Sequence, residues 1–142
     1  MAAQEAEGFT TSNMPNNQLD PQAVALAKSI RETESGGKWD AKGGSGEWGG
    51  YQFMPDTWAA YSKEVGVNAP FGSATPDQQN EVAYKKIKQW KDQGYNVGQI
   101  ASMWNAGSGR PNPYKDASKG VHSQRVADDT PAYAEKVEVA RW

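Results

Sequence analysis

The sequence contains no cysteine and only one histidine among its 142 residues. Without cysteine there can be no disulfide, no thiolate nucleophile and no cysteine-ligated zinc site, and the redox compartment cannot be inferred. The single histidine, His122, cannot form a multi-histidine metal site, and no serine lies in the nucleophile-elbow pattern that would suit a Ser-His-Asp triad. The carboxylates are therefore the main candidates for chemistry, and we expect neither a metal nor another cofactor.

Long apolar runs and an excess of one charge are also missing. No apolar segment approaches the roughly 20 residues of a membrane helix, so we expect no membrane insertion. The formal net charge is −2, and no basic stripe favours nucleic acid. The first residues lack the charged and apolar regions of a signal peptide. We expect a monomer with a flexible polar leader at 1–19 and one domain at 20–142.

Helical signals dominate the chain after the leader. Asp20 is a good N-cap and is followed by a proline at the first helical position, so a helix is predicted from there to about Ser35, where two glycines end it. Further helices are predicted over about 55–66, 76–94, 97–104 and 131–142. Residues 38–53 are rich in glycine and are predicted to form a loop or a short β-hairpin. The sequence therefore predicts a mainly α domain of about five or six helices.

The end of the first predicted helix carries the most informative acid, Glu34. It lies four residues after Ile30 and continues an apolar stripe at helical spacing that includes Ala23, Leu26 and Ala27. Burial and the negative end of the helix dipole would both disfavour the charged carboxylate, as a general acid requires. A glutamate at a helix end more often faces water or pairs with a lysine, so this hypothesis depends on the other motifs.

Three further motifs follow Glu34 and Ser35 in a recognisable order. They are Gly-Gly-Tyr-Gln-Phe-Met-Pro at 49–55, Ala-Ser-Met-Trp-Asn-Ala-Gly at 101–107, and Tyr133 near the start of the last predicted helix. Together they resemble the lysozyme-like domain of soluble lytic transglycosylases, a family that cleaves peptidoglycan. The resemblance covers about residues 21–140 and implies a lysozyme-like fold whose loop or hairpin lies over the cleft.

The resemblance also implies a mechanism with Glu34 as the one catalytic carboxylate. Glycosidases normally use two carboxylates, but one suffices when the substrate supplies the second nucleophile. Glu34 would protonate the oxygen between N-acetylmuramic acid and N-acetylglucosamine, and would then accept a proton from the sugar's 6-hydroxyl group as it attacks the anomeric carbon. The product would be a 1,6-anhydromuramyl end. Such an enzyme would act in the periplasm, outside the cell or as part of a phage particle.

The resemblance assigns the remaining candidates to substrate binding. Gln52 and Asn105 have amide groups that suit the acetamido and hydroxyl groups of a glycan. Ser35 could contact the substrate or cap the helix backbone, and the Tyr133 hydroxyl could orient the Glu34 carboxyl or simply pack. The full set of candidates is Ser35, Glu47, Trp48, Gly50, Tyr51, Gln52, Phe53, Trp104, Asn105, Ala106 and Tyr133.

Aromatic residues are abundant, with six tryptophans in the chain. Tryptophan can stack on the apolar face of a sugar ring as well as fill a core. We predict cleft positions for Trp48 and Trp104, which lie within the motifs, and core positions for Trp58 and Trp90. Tyr51 and Phe53 are expected to line the groove or the core.

The chain departs from the transglycosylase pattern at several positions. Gly50 and Tyr51 replace a Leu-Met pair, Trp104 replaces a tyrosine, and Glu47 replaces a small residue. The first motif, with two glycines and then Trp39 after the Glu-Ser pair, is also similar to the resuscitation-promoting factors, which share the fold. Goose-type lysozymes of this fold carry extra acids around the hairpin, but Glu47 does not align with them, and a solvated position is the alternative for it.

Two other functions remain open at this point. One is a hydrolytic muramidase that uses Glu34 together with Glu47 or another acid. The other is a non-catalytic module that binds peptidoglycan through the same cleft. The retained acid and Tyr133 argue against a pure binding module.

Overall fold

A computed structural model describes residues 8–106 of the protein, with only the backbone of Asn105 and Ala106. Within this part of the chain there are four α-helices, preceded by a 3-10 helix at Asn16–Gln18. They are α1 (Pro21–Ser35), α2 (Pro55–Val65), α3 (Pro76–Asp92) and α4 (Val97–Ala106). The predicted mainly α fold is confirmed, while the last predicted helix, 131–142, lies outside the described residues.

The helix starts agree with the prediction, and the helix ends agree to within about two residues. The Asp20 carboxylate accepts a hydrogen bond from the Gln22 N–H at 2.9 Å, and Thr75 forms a capping box with Gln78. A proline opens each of α1, α2 and α3, where its missing N–H costs nothing. Gly36 ends α1 in the left-handed conformation, with a φ of 66°.

Helix α3 is the centre of the fold and packs against each of the other three helices. Its buried apolar face includes Val82, Ala83, Ile87 and Trp90. The predicted core position of Trp90 is therefore confirmed, and so is that of Trp58, which is 2% exposed. The side chains that pack against α3 come from all parts of the described chain, so one continuous core supports the site.

The segment between α1 and α2, residues 36–54, is called the glycine loop below. It contains isolated antiparallel bridges between Lys42 and Trp48 and between Trp48 and Phe53. Trp48 and Phe53 exchange both backbone hydrogen bonds, at 3.0 and 3.2 Å. Longer strands do not form within residues 8–106, so the predicted loop or short hairpin is confirmed in this reduced form.

Residues 8–19 pack on the helices, whereas the sequence predicts a flexible leader over residues 1–19. Phe9 is fully buried, with its ring centroid 6.5 Å from that of Tyr84 in α3, and Leu19 is 6% exposed. A single aromatic residue in a polar segment has no periodicity, so its burial leaves no pattern in the sequence.

The first part of this segment, residues 8–14, is called the N-terminal strap and is held by a buried carboxylate. Glu81 in α3 accepts hydrogen bonds from the Ser12 hydroxyl at 2.6 Å and the Asn13 N–H at 2.8 Å, and it pairs with Lys85 at 2.9 Å. Burial alone would raise the pKa of Glu81, but hydrogen bonds from Lys85, Ser12 and Asn13 outweigh burial and hold its pKa below the ordinary value.

The variant Glu81→Gln is expected to lower the free energy of unfolding by about 1–3 kcal/mol near neutral pH, because it removes charge-assisted hydrogen bonds. A folded-state pKa below the unfolded value, about 4.3, means that this stability is present above that pH and is lost as the pH falls through the folded pKa. The difference between the two proteins should therefore shrink on acidification. Denaturant unfolding across the acidic range checks this, with exposed Asp92→Asn as the control.

Candidate active site

Glu34 is the penultimate residue of α1, and its side chain is half-buried. The helix ends one residue later, because Gly36 adopts the left-handed conformation after donating its N–H to the Glu32 carbonyl at 2.9 Å. The apolar stripe before Glu34 is buried as predicted. Glu34 therefore lies where this stripe meets the surface, in a position that is partly shielded from water yet open to a ligand.

Ser35 joins the end of α1 to the glycine loop. Its hydroxyl lies 2.8 Å from the Gly50 carbonyl and 3.0 Å from the Arg31 carbonyl, and it accepts the Gly37 N–H at 3.1 Å. These contacts use the hydrogen-bonding capacity of the hydroxyl. Of the two roles that the sequence leaves open for Ser35, the geometry supports the backbone contact rather than contact with a sugar.

The glycines at 49 and 50 allow the loop to approach other parts of the protein closely. A Cβ on Gly49, whose φ is 98°, would lie 2.7 Å from Oε1 of Gln79, and a Cβ on Gly50 would lie 2.9 Å from the Trp39 ring. Both residues are buried. Gly50 is predicted from the sequence to bind substrate, whereas in the structure its close approach is to Trp39 and Arg31.

Gln52 has an unusual backbone and uses part of its amide inside the loop. Its φ of 53° is the one positive φ outside glycine among residues 8–106. Its Nε2 donates to the carbonyls of Gly49 at 2.8 Å and Ala41 at 3.0 Å, so the amide donors predicted for a glycan bind the loop backbone. The Oε1 atom faces Gly43, 2.8 Å from the position that a Cβ would take there.

Glu47 is half-buried, and its side chain also binds the backbone of the glycine loop. Its carboxylate accepts the Ser45 N–H at 2.9 Å and packs closely against Gly43. This acid is thus neither fully solvated nor free of protein contacts. Its position near the oxygen of Gln52 places two acceptors on the same side of Gly43.

Three of the aromatic residues in the motifs belong to the core. Tyr51 is fully buried, Phe53 is 3% exposed and Trp104 is 8% exposed. The ring centroids of Phe53 and Trp104 are 5.3 Å apart, and the Trp104 indole donates to the Tyr51 carbonyl at 3.5 Å. The cleft position predicted for Trp104 is thus corrected, because the ring fills the space between the glycine loop and the helices. Trp48 is half-buried and packs edge-on against Phe71 at 5.9 Å.

A buried polar network lies beneath these rings. The Tyr51 hydroxyl donates to Oδ1 of Asn80 at 2.6 Å, and burial raises the pKa of Tyr51. Arg31 donates to the same Asn80 oxygen at 3.3 Å and stacks on Trp39 at 4.8 Å. Arg31 lies three residues before Glu34, a spacing that puts both residues on one side of the helix. That spacing could have indicated Arg31 from the sequence, whereas nothing local indicated Asn80.

The side chains of three predicted site residues lie outside the described part of the chain. They are Asn105 and Ala106, whose backbone ends α4, and Tyr133.

No helix among residues 8–106 combines the length and apolar character needed to cross a bilayer. The same residues contain no group of three or more acidic, histidine or cysteine side chains that could hold a metal ion.

The family described as "Transglycosylase-like domain" matches residues 22–97, which is more than half of the chain. The match includes α1 with Glu34, the glycine loop, α2 and α3. The chain therefore belongs to the transglycosylase-like domain family, and the resemblance to lysozyme-like proteins predicted from the sequence is confirmed.

Several resuscitation-promoting factors are similar to the chain. RpfC of Mycobacterium tuberculosis is 35% identical over 82 residues, which are 54% of this chain and 56% of RpfC. Rpf1 of Corynebacterium glutamicum is 31% identical over 121 residues, which are 82% of this chain and 60% of Rpf1. RpfD of M. tuberculosis is 37% identical over 81 residues, or 57% of this chain and 46% of RpfD. The chain thus spans about half the length of these relatives.

Proposed function

We propose that the protein is a peptidoglycan lytic transglycosylase in which Glu34 is the catalytic acid and then the base. The observation that carries this proposal is the position of Glu34, half-buried at the end of α1 and next to the residue that ties this end to the glycine loop. Membership of the transglycosylase-like domain family supports the same chemistry. The substrate would be the glycan strands of the bacterial cell wall, and the protein would act in the periplasm, outside the cell or on a phage particle.

The proposed reaction needs one carboxyl group and no water. Protonated Glu34 gives its proton to the oxygen that bridges N-acetylmuramic acid and N-acetylglucosamine, and the bond from that oxygen to the anomeric carbon breaks. An oxocarbenium-like centre develops on the muramic acid. The 6-hydroxyl oxygen of the same sugar then bonds to the anomeric carbon while ionised Glu34 accepts the hydroxyl proton. This restores protonated Glu34 and gives a 1,6-anhydro end.

We assign one carboxylate to the chemistry because Glu34 combines partial burial with a position at a helix end beside the glycine loop. Glu32 and Asp40 are exposed, and Glu81 is bound to the N-terminal strap. Glu47 is the strongest competitor, because it is also half-buried and lies in the glycine loop. A hydrolytic enzyme would need a second carboxylate to activate water or to act as nucleophile.

The products of peptidoglycan digestion test this proposal. We expect mass spectrometry of the soluble fragments to show anhydro ends, each lighter by one water than a hydrolysed end. Reducing ends would instead indicate a muramidase and would direct attention to Glu47. Binding to the wall without any soluble product would contradict both enzymatic functions and indicate a binding module.

A further inference from the structure

Gln79 lies near the start of α3, and all of its amide hydrogen-bonding groups bind backbone atoms outside that helix. The side chain is 1% exposed. Its Oε1 accepts the Gly50 N–H at 2.8 Å, and its Nε2 donates to the carbonyls of Trp39 at 3.2 Å and Ala74 at 3.1 Å. Both amide hydrogens and the oxygen are therefore used, and two of the three partners lie in the glycine loop.

Gly50 is held by side chains from two different helices. Its N–H binds Gln79 of α3, and its carbonyl accepts from Ser35 of α1. Because Ser35 is the neighbour of Glu34, this one residue connects the glycine loop, the central helix and the end of α1. The position of the loop relative to Glu34 therefore depends on the contact with Gln79.

Gln79 lies so close to the loop that it leaves no room for a side chain at position 49. The Gln79 oxygen lies 2.7 Å from the position of a Cβ on Gly49, so only glycine leaves room for it. With a φ of 98°, Gly49 also adopts a backbone conformation that other residues rarely reach. The glycines at this point are thus matched to a buried amide of α3.

We propose that Gln79 is a positioning residue that fixes the glycine loop relative to the Glu34 carboxyl. The expected effect on catalysis rests on the proposed function, whereas the contact between Gln79 and Gly50 does not depend on it. Gln79 is buried and acts through the loop. Enzymatic rates are sensitive to displacements of about 1 Å, which cost on the order of 100-fold. We therefore expect loss of the Gln79 amide to lower kcat about tenfold or more.

The variant Gln79→Met tests this, because methionine is similar in size but has neither the amide donors nor the amide acceptor. The control is Val82→Ala, which removes buried atoms from the same helix and leaves the Gly50 hydrogen bonds in place. We expect Gln79→Met to lower kcat per folded molecule on a soluble glycan oligomer and to speed hydrogen exchange at the Gly50 amide. Val82→Ala should change neither quantity by more than about twofold. Equal kcat values in the two variants would overturn the proposal.

The variant Gln79→Glu gives a second test, including the case in which Gln79→Met does not fold. The introduced carboxylate keeps an acceptor for Gly50 but lacks the donors for Trp39 and Ala74, and protonation would return one donor. The charged group next to these partners is Arg31, which stacks on Trp39. We expect the kcat of this variant, relative to the parent at the same pH, to rise as the pH is lowered from about 7 to about 5. A constant ratio would contradict the proposal.

The experiments distinguish failure of the proposed function from failure of the inference about Gln79. A parent protein that releases no anhydro or reducing ends fails as an enzyme, and the Gly50 amide then decides the inference alone. Faster exchange in Gln79→Met than in Val82→Ala supports the role of Gln79 in holding the loop. Equal exchange in the two variants overturns it.

Discussion

Glu34→Gln is expected to lower the rate of peptidoglycan cleavage by about 10²–10⁴-fold, the usual contribution of a general acid or base. Glutamine has nearly the same size as glutamate but has no acidic proton to give to the glycosidic oxygen. Because Glu34 is only half-buried, the variant should remain folded. The rate of release of anhydro muropeptides, followed by mass spectrometry, measures the effect.

Two matched variants make this experiment specific. Glu32→Gln is the same change, two residues earlier, at an exposed position of α1, and it should keep close to the parental rate. Glu47→Gln alters the other half-buried acid near the loop, and under the proposed mechanism its effect should be much smaller than that of Glu34→Gln. Near-parental release of anhydro products by Glu34→Gln would exclude Glu34 as the acid. Equal losses in Glu34→Gln and Glu47→Gln would favour a mechanism with two carboxylates.

The helices could be predicted because their signals are local. Asp20 and Thr75 satisfy N–H groups within three residues of themselves, and a proline follows each of them. The end of α1 likewise depends on glycines that directly follow Ser35. Such patterns have the same meaning in most folds, so the helix boundaries, and with them the position of Glu34 at a helix end, could be predicted.

The contacts that shape the site join residues far apart in the chain and could not be predicted in this way. Phe9 packs on Tyr84, and Gln79 binds Gly50. The amide of Gln52 shows the same limit, because its donors suit a sugar and a backbone carbonyl equally well. The sequence therefore predicts which chemical groups are available but not which partners they bind.

Trp104 is predicted from the sequence to lie in the cleft but lies in the core of the structure, and its removal tests the core position. Trp104→Ala is expected to lower the free energy of unfolding by about 3–5 kcal/mol, the usual cost of removing a large buried aromatic ring. The ring is 8% exposed and packs against Tyr51, Phe53, Tyr61 and Trp90. Denaturant unfolding near neutral pH measures the loss.

The matched change Trp48→Ala should affect stability less than Trp104→Ala and substrate binding more. Trp48 is half-buried, and its ring packs against Phe71 in the part of the chain that the structure describes. Its removal should therefore cost less stability than that of Trp104, while a rise in KM for a soluble glycan would indicate that its open face binds sugar. If Trp104→Ala kept the parental stability and instead raised KM, the ring would have to face the cleft, and the core position would be wrong. The order of the two stability losses thus decides which tryptophan supports the fold, and the change in KM decides which one contacts the substrate.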